Sequence, residues 1–147
     1  MEKILEILDN MVLDENKIEY LKQISMSKTE TNKLSINPDD LYIICNQIIF
    51  DCNRNQILKL IKNVFDIHKV DETILYKILK LYIFDFERNI AFRILRPFLI
   101  QDQINQLEAF EKLYIYSNEK NRFLSLISNK EQENTDDPQK TKSRCAT

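Results

Sequence analysis

The chain has 147 residues, 44% of them hydrophobic and 30% charged, with a net charge of -2 and no glycine. That is the composition of one folded domain, and its charge balance gives no basic footprint for nucleic acid. The absence of glycine argues against Gly-rich phosphate loops, nucleophile elbows and type I′ hairpins, all of which need residues at positive φ.

Residues 3–13 carry Ile4, Leu5, Ile7, Leu8, Met11 and Val12 at helical spacing. They open with an acidic amphipathic stretch rather than a signal-peptide core. Leu13-Asp14-Glu15-Asn16-Lys17 is then a worn copy of a motif that recurs as Phe50-Asp51-Cys52-Asn53-Arg54-Asn55, Phe84-Asp85-Phe86-Glu87-Arg88-Asn89 and Tyr116-Ser117-Asn118-Glu119-Lys120-Asn121. The anchors Leu13, Phe50, Phe84 and Tyr116 are 37, 34 and 32 residues apart by subtraction. Each copy reads as two helices. The first runs into the anchor, over roughly 40–49, 72–83 and 103–115. The second starts after Asp14, Asp51, Asp85 or Ser117, residues suited to N-capping. Asp71 and Asp102 are expected to cap first helices. Pro38 is placed to open a helix and Pro97 to close one.

Ser25 to Asp39 is polar and reads as an exposed linker; from Asn129 onward the composition predicts a disordered tail. The expected organisation is a helical repeat at 1–24, a linker at 25–39, a helical core at 40–128 and a tail at 129–147. The fold class is all-α: four tandem helix-pair repeats, about eight helices, packed as a short α-solenoid or compact helical bundle, with the aromatic anchors in its core.

The candidate functional residues are few. Lys17, Arg54, Arg88 and Lys120 stand four after each anchor. A cation in a helix's first turn opposes the macrodipole, so it needs compensation. Either it bonds carbonyls or a carboxylate nearby, which is the architectural reading, or it forms a cationic ladder for an anionic ligand. Arg93 and Arg96, with Lys59 and Lys62, fall on the outer side of second helices and read by default as a solvated face. Phe86 departs from the repeat, its counterparts being Glu15, Cys52 and Asn118, and it marks either a contact surface or a covered helix end. His68, the single histidine, reads as a loop residue between Ile67 and Val70. No catalytic set, metal site or cofactor site is expected. The odd cysteine count, Cys45, Cys52 and Cys145, argues against a disulfide framework and for a reduced, cytoplasmic setting. No apolar run of about 18 residues occurs, so no membrane span is expected.

Val70-Asp71-Glu72-Thr73-Ile74-Leu75, Leu81 to Arg88, Leu95-Arg96-Pro97-Phe98, Asp102 with Asn105, Ala109-Phe110 and Tyr114-Ile115-Tyr116-Ser117 together resemble the domain of unknown function 4476 family. The likeness covers about residues 40–128 and more faintly 3–24. Asn55, Asn89 and Asn121 stand where that family more often has Leu. The resemblance implies an all-helical domain with no assigned activity. The functional expectation is a non-catalytic helical module that binds a protein partner. The alternative is an anionic ligand (nucleic acid or a lipid head group) held by Arg54, Arg88, Arg93 and Arg96.

Overall fold

The computed structural model describes residues 1–27, 34–101 and 103–128. Asp102 and everything from Asn129 on, including Cys145, lie outside them, so the expected cap at Asp102 and the expected tail do too. The helices are α1 (Glu2–Asp9), α2 (Asp14–Ser27), α3 (Pro38–Asn46), α4 (Asp51–Val64), α5 (Glu72–Lys80), α6 (Asp85–Leu95), α7 (Leu107–Glu111) and α8 (Ser117–Ser128), with a 3-10 turn at Arg96–Phe98. The molecule is therefore an all-α helical bundle, as its periodicity predicts. Pro38 opens α3 and the carboxylate of Asp71 accepts the Ile74 N–H at 2.8 Å, both as expected.

Two short strands, β1 (Leu34–Ile36) and β2 (Phe65–Ile67), pair in parallel, and Val70 bridges to Leu99 in the same sense. They correct the expected linker at 25–39. Ser25–Ser27 extend α2, and Ile36 is fully buried between helices. A polar composition hid one apolar residue, and Ile36 has somewhere to go only because β2 supplies the pairing edge.

The helices form two rows. α2 packs on α4, α4 on α6 and α6 on α8, while α1, α3 and α5 follow one another alongside. The core lies between the rows. Leu21, Leu58, Phe92 and the half-buried Leu124 occupy one position of the four second helices, and Ile44, Ile78 and Phe110 come from the first helices. At the α8 end the core is aromatic. Phe123 lies 5.0 Å from Phe92 and 5.2 Å from Tyr114, ring centre to ring centre.

The connection inside each helix pair has one geometry. Met11, Ile48, Tyr82 and Tyr114 each donate their N–H to the carbonyl three residues back, Leu8, Cys45, Leu79 and Glu111. This tight turn ends the first helix without a left-handed residue, and no described residue has positive φ. Phe50 and Phe84 are extended, and the carbonyl of Leu13, Phe50, Phe84 or Tyr116 accepts the first bond of the next helix. The anchors are therefore helix N-caps on the surface, from 53% to 65% exposed, and the expectation that they fill the core is wrong. The inward room at these loops is already taken by the residue before each pair, Ile48 or Tyr82.

Candidate interaction surface and the joints behind it

Asp14, Asp51 and Asp85 do not cap their own helices. Each is buried, and its carboxylate accepts two successive backbone N–H groups from the loop of the next helix pair. Asp14 takes Ile49 and Phe50 at 3.0 and 3.1 Å. Asp51 takes Ile83 and Phe84 at 2.9 and 2.7 Å, and Asp85 takes Ile115 and Tyr116 at 2.8 Å each. Charge-assisted bonds to two adjacent donors hold each loop at one distance and one orientation.

The repeated cation completes the joint. Arg54 bonds Asp51 at 2.9 Å and reaches the carbonyls of Cys45 and Ile48, at the end of its own first helix. Arg88 does the same with Asp85, Leu79 and Tyr82. Lys17 crosses to the carbonyl of Gln47 at 2.8 Å, as Arg54 crosses to Leu81 at 3.4 Å. The cations thus satisfy helix C-terminal carbonyls, which offsets their place in a first turn. Arg54 and Arg88 are buried and committed to these bonds, so their role is architectural and the cationic ladder is not there.

A third layer was not foreseen. Asn55 donates to the Glu87 side chain at 2.7 Å and accepts from the Tyr82 hydroxyl at 2.7 Å. Asn89 repeats this with Glu119 and with Tyr114. The guanidinium carbon of Arg54 sits 5.0 Å from the Tyr82 ring centre, and that of Arg88 5.2 Å from Tyr114. At the first joint the partners are Ile18 and Ile48, both buried, and Asn53 bonds Asp14 at 3.0 Å. A legible signal existed. Where the residue five after an anchor is Asn, the next copy has Tyr two before its anchor and Glu three after. Where it is Ile, the next copy has Ile and Asn at those places.

Burial suppresses the ionisation of groups inside the joints. Burial pushes the Cys45 thiol from 9.0 up to about 12, partly countered by Arg54, and raises the Tyr82 and Tyr114 hydroxyls as well. Below pH 9 both folded and unfolded chains keep the Cys45 proton, and its contribution is fully present. As pH rises from 9 toward 12 only the unfolded chain loses it, so stability falls across that window. Cys45 is expected to resist alkylation at pH 9 in the folded protein and to react once urea is added. Equal rates in both states would refute the burial.

Other expected sites fall elsewhere. Phe86, in the first turn of α6, is 7% exposed. Arg93 and Arg96 are half-buried near the end of α6, whereas Lys59 and Lys62 are exposed. His68 is an exposed loop residue, as expected, its N–H bonded to the Ile36 carbonyl. No cluster of metal-ligating side chains occurs among the described residues, and no helix of the described residues is long and apolar enough to cross a membrane. Cys45 is a free thiol buried in the core.

What the joints leave outside is a row of apolar side chains. Val12-Leu13, Ile49-Phe50, Ile83-Phe84 and Ile115-Tyr116 are each an exposed pair, all between 53% and 79% accessible. Because one carboxylate links each loop to the helix start after the preceding loop, the pairs follow one another along one edge. Between the third and fourth pairs lies a groove of about 420 Å³, walled by Ile83, Phe84, Ile115 and Tyr116, with Phe86 and Asn118 among its lining.

The geometry defines an all-α protein of helix pairs locked together by buried Asp, Arg and Asn side chains, with an apolar edge. The chain has no significant match among family models, curated proteins or solved structures.

Proposed function

We propose that the chain is a non-catalytic helical interaction module, a short stack of four helix pairs that binds a protein partner along the row of exposed aliphatic–aromatic pairs. The observation that carries this is the repetition of the row. Four loops place two large apolar side chains each in water, while their backbones are held from behind by buried carboxylates. Surfaces that expose contiguous apolar groups on a rigid backbone are typical of protein docking sites. The resemblance to the domain of unknown function 4476 family belongs to the same proposal. So does a cytoplasmic location.

The test is a quadruple variant, Ile83→Ser, Phe84→Ser, Ile115→Ser and Tyr116→Ser, compared with the native chain in capture from native lysate at high salt. A partner held by the native chain and lost by a variant of unchanged helicity supports the row as the docking surface. Retention of every captured protein by the variant overturns it. The alternative, an anionic ligand, keeps only Arg93 and Arg96 of its four arginines. Reversing both charges distinguishes it, because binding that depends on them would also fall steeply as salt is added.

A further inference from the structure

The three joints share one design, and the two ends of the row expose its two halves. At the α8 end, Ser117 and Asn121 are exposed at the positions where Asp51, Asp85, Asn55 and Asn89 are buried. At the α1 end, no described residue accepts the N–H of Val12 or Leu13, the counterparts of the donors held by Asp14, Asp51 and Asp85. Asn16 stands where Asn53 bonds Asp14, and the carbonyl of Asn10 stands where Gln47 receives Lys17. In register, then, Lys120 would meet the Asn10 carbonyl.

Two positions break the match. Ser117 offers a neutral hydroxyl where two N–H groups elsewhere face a carboxylate, and Asn121 would face Met11. The first joint sets an isoleucine against an isoleucine there, and the other two set Asn against a Tyr hydroxyl. The Asn121 amide oxygen, whose counterparts accept from Tyr82 and Tyr114, would be buried against a methionine that cannot donate to it, which is costlier than leaving it in water. We infer that the outer face of α8 and the loop at Val12-Leu13 are complementary halves of one joint that fit a second copy of this chain, and that Ser117 and Asn121 keep it from closing. Such a contact is head-to-tail, so closing it would build an open chain of molecules rather than a dimer. The mismatch thus works against polymerisation. This inference rests on the joints and is independent of what the apolar row binds.

The test is the double variant Ser117→Asp, Asn121→Ile in the full chain, followed by analytical ultracentrifugation over a concentration series. The native protein is expected to stay monomeric. The variant is expected to show a weight-average mass that climbs with concentration to at least about twice that of the single chain, with no plateau at two. Adding Leu13→Pro, which removes one N–H donor while suiting a helix N-cap, is expected to restore the monomer. Circular dichroism of each variant reports whether the fold is kept. A folded double variant that stays monomeric overturns the inference. So does a native chain that already polymerises, or association that Leu13→Pro leaves untouched in a folded protein.

Discussion

Asp51→Ala is expected to lower the unfolding free energy by about 3–5 kcal/mol, the range for removing one partner of a buried ion pair. The substitution does three things at once. It leaves the Arg54 guanidinium buried among carbonyls and the Tyr82 ring without its carboxylate partner. It orphans the N–H groups of Ile83 and Phe84, which Asp51 holds at 2.9 and 2.7 Å. It also loosens α4 from the loop that starts α6, leaving Asn55–Glu87 as a remaining polar link between the two helices. Asp51→Asn keeps one acceptor oxygen and should fall between native and alanine. Asp39→Ala, at an exposed position in the first turn of α3, is the control and should stay within about 0.5 kcal/mol. Urea unfolding followed by circular dichroism gives all three values. A loss below about 1 kcal/mol for Asp51→Ala would show that the carboxylate ladder does not hold the pairs together.

Phe123→Ala is expected to cost a similar amount, about 3–5 kcal/mol, while Phe84→Ala should cost less than about 1 kcal/mol. Phe123 is fully buried and touches Phe92, Phe110 and Tyr114 from three sides, so its removal opens a cavity that rigid rings cannot fill. Phe84 is more than half exposed at the mouth of the groove, and truncating it removes contact surface rather than core. The contrast separates the two roles an aromatic can play in this repeat. A large loss from Phe84→Ala would return the anchors to the core. A small loss from Phe123→Ala would mean that the α8 end is loosely packed. Either result changes where a partner could bind.

The starts of the second helices were legible to within one residue without coordinates. Asp14, Asp51, Asp85 and Ser117 read as caps just before them and are their first residues, because an apolar run at helical spacing follows directly. The cap at Asp71 and the opening of α3 at Pro38 were legible for the same reason: their chemistry acts within four residues. So was the helical class, since a chain without glycine and with apolar periodicity near 3.6 has few other ways to bury its surface. What composition and spacing could not supply was direction. The motif identifies Asp51 as a short acid at a helix start. Whether it turns inward to its own helix or across to the next loop depends on where that loop lies, some 30 residues on. The same holds for Phe50 and Phe84, where apolar character argued for the core, and for Phe86, whose departure from the repeat left its side undecided. Ile36 and β2 meet only because α2 and α4 are already packed. Local bonds are set by neighbours along the chain and can be read there. Burial and cross-unit bonds depend on which surfaces the folded helices leave open, and that is decided only when all of them compete for the same core.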